Sequence, residues 1–140
     1  MIVVVDASVV LKWFLDEPDA TYALTLRQRH LAGDTLLVAP DLLLYEVGNA
    51  LRFKRDFTLP AIQAALSDVL HFQLDLVAPT EPLFHQAAEF SHRSRLTYYD
   101  CCYLAVARTL GATLITADQR LHDASSRLVT VRLLNQIGAR

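Results

Sequence analysis

The sequence predicts a three-layer α/β/α domain with a mostly parallel central sheet of about five strands. Three observations carry that expectation. Short β-branched runs alternate with longer segments of helical periodicity, the pattern that right-handed crossovers turn into a parallel sheet covered by helices. The first run, Ile2-Val3-Val4-Val5, has no polar alternation, as in a strand buried on both faces. A chain of 140 residues with 53% hydrophobic content can also bury one substantial core, so residues 1–140 are read as a single domain.

The opening strand ends on Asp6, at the edge where open α/β sheets build their sites. That aspartate either caps the helix beginning near Ser8 or belongs to a site, and partners elsewhere must decide. Ser8 to Leu15 supplies Val9, Val10, Leu11, Trp13 and Phe14, a short buried helix whose polar exception is Lys12. Asp16-Glu17-Pro18-Asp19 breaks it, Asp19 is placed to cap a second helix running to about Leu31, and Gly33 closes that helix. Leu36 to Ala39 forms the second strand. The helix from about Leu42 to Lys54 is apolar at nearly every position except Glu46 and Asn49, which share a face. A carboxylate there needs a partner, either an arginine such as Arg52 or the other members of a site. Thr58-Leu59-Pro60 opens an amphipathic helix with Leu59, Ile62, Leu66, Val69 and Leu70 at helical spacing, completing a helical hairpin.

Leu74 to Val77 is a shorter, more polar strand, nearer the sheet edge. Thr80-Glu81-Pro82 starts a helix that buries Leu83, Phe84, Ala87, Ala88 and Phe90, and Ser91 to Arg95 ends it as a basic loop. Asp100 stands at or just before the first turn of a helix from Cys101 to Leu110, where capping alone would explain a carboxylate. After Gly111, the strand Thr113 to Thr116 hands Asp118 to the same edge as Asp6. Gln119 to Ser125 reads as a turn or short helix, Leu128 to Leu134 as the last strand, and Asn135 to Arg140 as a frayed tail.

Composition narrows the function classes. No apolar run reaches membrane-spanning length and the first residues enter a strand directly, so a cytoplasmic protein with no membrane segment is expected. Cys101 and Cys102 are adjacent and point to different sides of a helix, so both are expected to be free thiols. A formal charge of −2 does not describe a protein held to nucleic acid by bulk electrostatics. With four acids set aside for a site, however, the 13 basic residues outnumber the remaining acids, and a phosphate substrate stays open. The five histidines are scattered and offer no zinc spacing.

In a parallel sheet Asp6 and Asp118 leave strand ends on one edge, Asp100 heads a helix facing that edge, and Glu46 adds a fourth oxygen donor. Oxygen-only ligands suit Mg²⁺ or Mn²⁺. Val-Val-Asp6-Ala-Ser8, Glu46-Val-Gly-Asn49, Thr97-Tyr-Tyr-Asp100 and Leu-Ile-Thr116-Ala-Asp118, in this order over nearly the whole chain, resemble the PIN-domain nucleases, and most of all the VapC toxins of bacterial toxin-antitoxin pairs. The resemblance implies a PIN-like fold and a Mg²⁺- or Mn²⁺-dependent endoribonuclease with Asp6, Glu46, Asp100 and Asp118 as its acidic quartet. Asp6 and Asp100 would be direct metal ligands, Asp118 a ligand through water or a second ion, and Glu46 a ligand or a water-orienting base. Ser8, Asn49 and Thr116 match the polar positions around that quartet. Also implied are an RNA substrate, a cognate VapB-like antitoxin lying along apolar helices, and a homodimer.

Lys12, Arg93, Arg95 and Arg120 are nominated as phosphate contacts from their expected place at the carboxyl edge. Tyr98 and Tyr99 either stack on bases or pack at the helix start. Two rivals remain. A Mg²⁺-dependent phosphatase of the haloacid dehalogenase kind would carry a second aspartate where this chain has Ser8. A protein-binding module would use the acids as caps and ion pairs, and would gain no stability from metal.

Overall fold

The computed structural model describes residues 1–138. Five parallel strands, β1 (Ile2–Val5), β2 (Leu36–Pro40), β3 (Asp75–Val77), β4 (Thr113–Thr116) and β5 (Val131–Leu133), lie in the order β3-β2-β1-β4-β5. The unbroken β-branched run sits at the centre: Val3, Val4 and Val5 are all buried. The shorter, more polar β3 takes an edge, as its composition predicts.

Between the strands run α1 (Ala7–Leu11), α2 (Ala20–Leu31), α3 (Leu42–Arg52), α4 (Leu59–His71), α5 (Glu81–Arg93), α6 (Tyr98–Leu110) and α7 (Gln119–Ser125). The chain steps from β1 to β2 and β3 on one side, then returns to lay β4 and β5 on the other. Right-handed crossovers therefore put α1 to α4 on one face and α5 to α7 on the opposite face. The reversal opens a crevice at the carboxyl ends of β1 and β4, the place where such sheets bind ligands.

Two side chains tie the first face together. Trp13 donates its indole N–H to the Ala23 carbonyl at 2.9 Å and meets the Phe72 ring edge-on at 5.4 Å. His30, at the end of α2, lies 2.8 Å from the Phe72 carbonyl and accepts the Leu37 amide at 3.2 Å, joining α2, β2 and the end of α4. Gly48 of α3 faces Leu66 of α4. A Cβ there would lie 3.7 Å from Leu66, an ordinary contact, so space alone does not demand the glycine.

Several expected boundaries move. Ser91 to Arg93 belong to α5, and the chain turns extended only at Ser94. Helix α6 starts at Tyr98, because the Thr97 hydroxyl accepts the Asp100 amide and takes the capping role. Asp19 occupies the cap position of α2 but adopts a left-handed backbone, φ 68°, and its side chain makes no capping bond. Strand β5 is shorter than Leu128 to Leu134, since the Leu128 and Val129 amides turn back onto the Ser125 carbonyl. The expected tail holds a 3₁₀ turn, Leu134–Gln136, whose Gln136 side chain accepts the Leu133 amide; residues 139 and 140 lie outside the described residues. Among the described residues no helix is long and apolar enough to cross a membrane.

Candidate active site

Asp6 follows the last residue of β1 and is 6% exposed. One carboxylate oxygen accepts the Ser8 hydroxyl at 2.5 Å and the Val9 amide at 3.4 Å, and the other accepts the Thr116 hydroxyl at 2.5 Å. The strand register explains the last contact: Val5 pairs with Ile115, so the next residue of each strand, Asp6 and Thr116, emerge side by side. The capping reading and the site reading of Asp6 are therefore compatible, since the side chain caps α1 and still lies in the crevice. Ser8 reaches across to accept the Ala117 amide at 2.9 Å, and Thr116 accepts the Asp118 amide at 3.0 Å.

Burial pushes the Asp6 carboxyl up from 3.8 to about 6, against the lowering pull of the Ser8, Thr116 and Val9 hydrogen bonds, and the charge of Asp100 adds to the rise. Burial likewise raises Glu46, again with a contribution from Asp100, while its hydrogen bond from Tyr103 opposes the shift. These shared influences mark Asp6, Glu46 and Asp100 as one electrostatic group.

Among the described residues Glu46 has no arginine partner. Its Oε1 accepts the Tyr103 hydroxyl at 2.7 Å, a bond that joins α3 on one face of the sheet to α6 on the other. The sequence reading missed Tyr103. Its signal was a lone hydroxyl in the run Cys-Cys-Tyr-Leu-Ala-Val-Ala, three residues after Asp100 and so on the same helix face.

Asp118 caps α7 through the Arg120 and Leu121 amides at 2.9 and 3.2 Å. Asp100 lies in the first turn of α6. One guanidinium nitrogen of Arg120 stands 3.3 Å from Asp100 and 3.9 Å from Asp118, so a single cation serves both carboxylates. Arg120 was expected as a phosphate contact, and its place between two acids was not foreseen.

The remaining nominated residues separate. Among the described residues Asn49 is exposed and makes no hydrogen bond to any of the four acids. Lys12 is held by Glu17 at 3.2 Å and the Pro18 carbonyl at 2.7 Å. Arg95 shares a groove beside the acids with Arg120. Arg93 pairs with Glu89 at 3.5 Å and lines a different cavity. Both cysteines are free, and burial raises their thiols, Cys102 to about 11, so they stay protonated near neutrality and are poor nucleophiles.

Among the described residues no three His, Cys, Asp or Glu side chains are drawn together into a closed ligand cluster. The donors present nonetheless fit a hard divalent cation. They are all oxygens, two of them belong to carboxyls whose pKa burial and a neighbouring charge have raised, and an arginine nitrogen already bridges the other two acids.

Comparison with known proteins agrees with this geometry. A family model described as PIN domain matches residues 3–126. Ribonuclease VapC1 of Mycobacterium tuberculosis is 32% identical over 109 residues, 76% of this chain and 80% of that protein. VapC20 of Mycobacterium tuberculosis, solved as a sarcin-ricin loop cleaving toxin, superposes with a TM-score of 0.70 at 20% identity over 93% of this chain and 98% of its own. VapBC2 from Rickettsia felis, solved on a DNA fragment from its promoter, gives 0.71 at 14% identity over 95% of this chain and 98% of its own. At those identities the solved structures speak for the fold. With the family model and the VapC1 relationship over most of its length, the chain belongs to the PIN-domain family, among its VapC ribonucleases.

Proposed function

We propose that this protein hydrolyses RNA phosphodiester bonds with Mg²⁺ or Mn²⁺ held by Asp6, Glu46, Asp100 and Asp118, and that it is the cytoplasmic toxin of a type II toxin-antitoxin pair. One observation carries the reading. Asp100 raises the carboxyls of both Asp6 and Glu46 and shares Arg120 with Asp118, which links four acids from four separate elements at the carboxyl end of the sheet. When bound, the divalent ion polarises a phosphodiester oxygen and makes a water more acidic.

The chain's own residues set up the rest. Ser8 and Thr116 grip both oxygens of Asp6, fixing the direction in which its free lone pairs point. Tyr103 fixes Glu46, whose raised pKa suits a group that takes a proton from an attacking water. Arg95 and Arg120 line an open groove of about 760 Å³ beside the acids, where a phosphodiester backbone can lie.

The antitoxin and the second copy belong to the same proposal. Tyr45, Phe53, Leu59 and Leu70 are large apolar side chains left exposed on or beside the α3–α4 hairpin, a surface suited to an apolar helix. A clean monomer by light scattering at high concentration would remove the homodimer.

Cleavage of mixed total RNA by the purified protein, with Mn²⁺ or Mg²⁺ against EDTA, tests the activity. Metal-dependent fragments that vanish in the Asp6→Asn, Asp100→Asn double variant are the expected result. Equal fragments with EDTA, or from the double variant, would defeat the assignment.

A further inference from the structure

One flank of the molecule carries five arginines, leading from the acidic crevice to the opposite edge of the sheet. At the crevice are Arg95 and Arg120, in the groove already described. Two residues before Arg95, Arg93 ends α5 and lines a second cavity, of about 330 Å³, with Glu89, Arg108 and Arg127. Arg108 and Arg127 also line a third cavity, of about 530 Å³, which extends over the amino ends of β4 and β5 past Thr113 and Thr130. Helix α7 links the two ends of this path. Its first residues wall the groove, and Arg127 lies just beyond its last turn.

Beyond the crevice, where Arg120 faces Asp100 and Asp118, charge along the path is mostly positive. The two carboxylates that line it are already engaged, Asp123 by Gln119 and His122, and Glu89 by Gln86 and Arg93. Arg108 gives one N–H to the Leu128 carbonyl at 3.3 Å. Among the described residues Arg127 makes no hydrogen bond or ion pair. Arg93 and Arg108 stand in the last turns of their helices, where a cation offsets the helix dipole. That role accounts for their position in sequence, but it leaves Arg127 unexplained and uses few of the five donors on each guanidinium.

We infer that this arginine path is a second RNA contact, gripping the phosphodiester backbone of a folded substrate at the amino edge of the sheet, away from the bond that is cut. The inference rests on the ribonuclease reading. The arginines are spread along a surface and do not converge on one point, which matches repeated phosphates better than a single small anion. Asp100 and Arg108 lie in the first and last turns of α6, about 12 Å apart along its axis. The route over the surface is longer, so a short oligonucleotide seated at the acids does not reach the distal cavities.

The test compares wild type with Arg108→Gln/Arg127→Gln, and with Arg127→Gln alone, which among the described residues has no hydrogen bond or ion pair to lose; melting temperatures check the fold. Binding of a mixture of folded RNAs is measured in EDTA across a salt series, and cleavage of an oligonucleotide of about four nucleotides is measured with Mn²⁺. Loss of two phosphate contacts should weaken folded-RNA binding about tenfold and lower the slope of log affinity against log salt by about 1.4 to 1.8. The single variant should show about half that change in slope, and cleavage of the short oligonucleotide should be unchanged. Unaltered folded-RNA affinity and slope, with cleavage intact, would overturn this inference alone. So would inorganic phosphate binding that is lost in the double variant while RNA binding is not. A wild type that neither binds nor cuts any RNA would overturn the ribonuclease reading and this inference with it.

Discussion

On the β1–β4 side of the site, both oxygens of Asp6 are hydrogen-bonded and the residue is buried, whereas on the side built from α6 and α7, Asp100 and Asp118 stand partly open to solvent and share one exposed arginine. The first side is an extension of the core. Its geometry follows from strand register and a short turn, and it is set before any ligand arrives. The second side is held by an ion pair of the exposed kind that contributes about 0–1 kcal/mol. A site divided this way keeps one ligand fixed and leaves the others free to close on a cation. The difference between a fixed and an adjustable half can be broken or sharpened by substitution on either side.

The largest effect belongs to the fixed half. Asp6→Asn should abolish metal-dependent cleavage, a loss beyond the ~10–100-fold that follows removal of a second-shell partner. The same variant should melt higher than wild type in EDTA at neutral pH, because it no longer buries a charge. Thr116→Val should fall within that ~10–100-fold range in Mn²⁺ affinity or turnover. Parallel turnover assays and melts separate these outcomes, and an Asp6→Asn protein that is both inactive and less stable would point to a purely structural aspartate.

The pH dependence of the metal-free protein follows with a definite sign. Asp6 holds its proton up to about 6 in the folded state against 3.8 ordinarily, so between those values the folded chain binds a proton that the unfolded chain has released. The stability that Asp6 contributes is therefore fully present below about pH 4 and is lost as pH rises through about 6, by at most about 3 kcal/mol. Glu46, also raised, acts in the same direction. Urea unfolding in EDTA across this window should show the decline, and Asp6→Asn should flatten most of it.

Tyr103→Phe tests the bridge between the halves. Leaving Glu46 half-buried without its donor should cost about 1–3 kcal/mol of stability and shift the acid limb of the cleavage profile to higher pH. The smallest change is expected at the adjustable half. Arg120→Gln removes a competitor for Asp100 and Asp118, and should tighten Mn²⁺ binding by no more than about fivefold, read by calorimetry. Weaker Mn²⁺ binding in that variant would mean that Arg120 organises the acids.

The same division separates what the sequence reveals from what it hides. The fixed half is legible because it depends on local pattern: a β-branched run ending in Asp6, a second run ending at Thr116, and Ser8 two residues after the first acid. The bond from Tyr103 to Glu46 depends on how α3 and α6 meet across the top of the sheet, which no local pattern encodes. Arg120 read only as a phosphate contact, and its place between two acids stayed hidden because those partners lie on α6 and at the head of α7, brought together only by the fold. Boundaries failed for local reasons. Thr97 took the capping role that Asp100 could also have filled, and the polar Ser91-His92-Arg93 stayed helical because α5 packs along α6 through its apolar face.

The most direct test of the central claim, that these acids form one cation site, is the melting temperature of wild type and of Asp100→Asn titrated with Mn²⁺ from an EDTA-treated start. At a hundred times the dissociation constant, wild type should gain about 2.7 kcal/mol, a shift of several degrees, while the variant should gain much less. Identical curves for the two proteins, or no shift in wild type at saturating Mn²⁺, would contradict it.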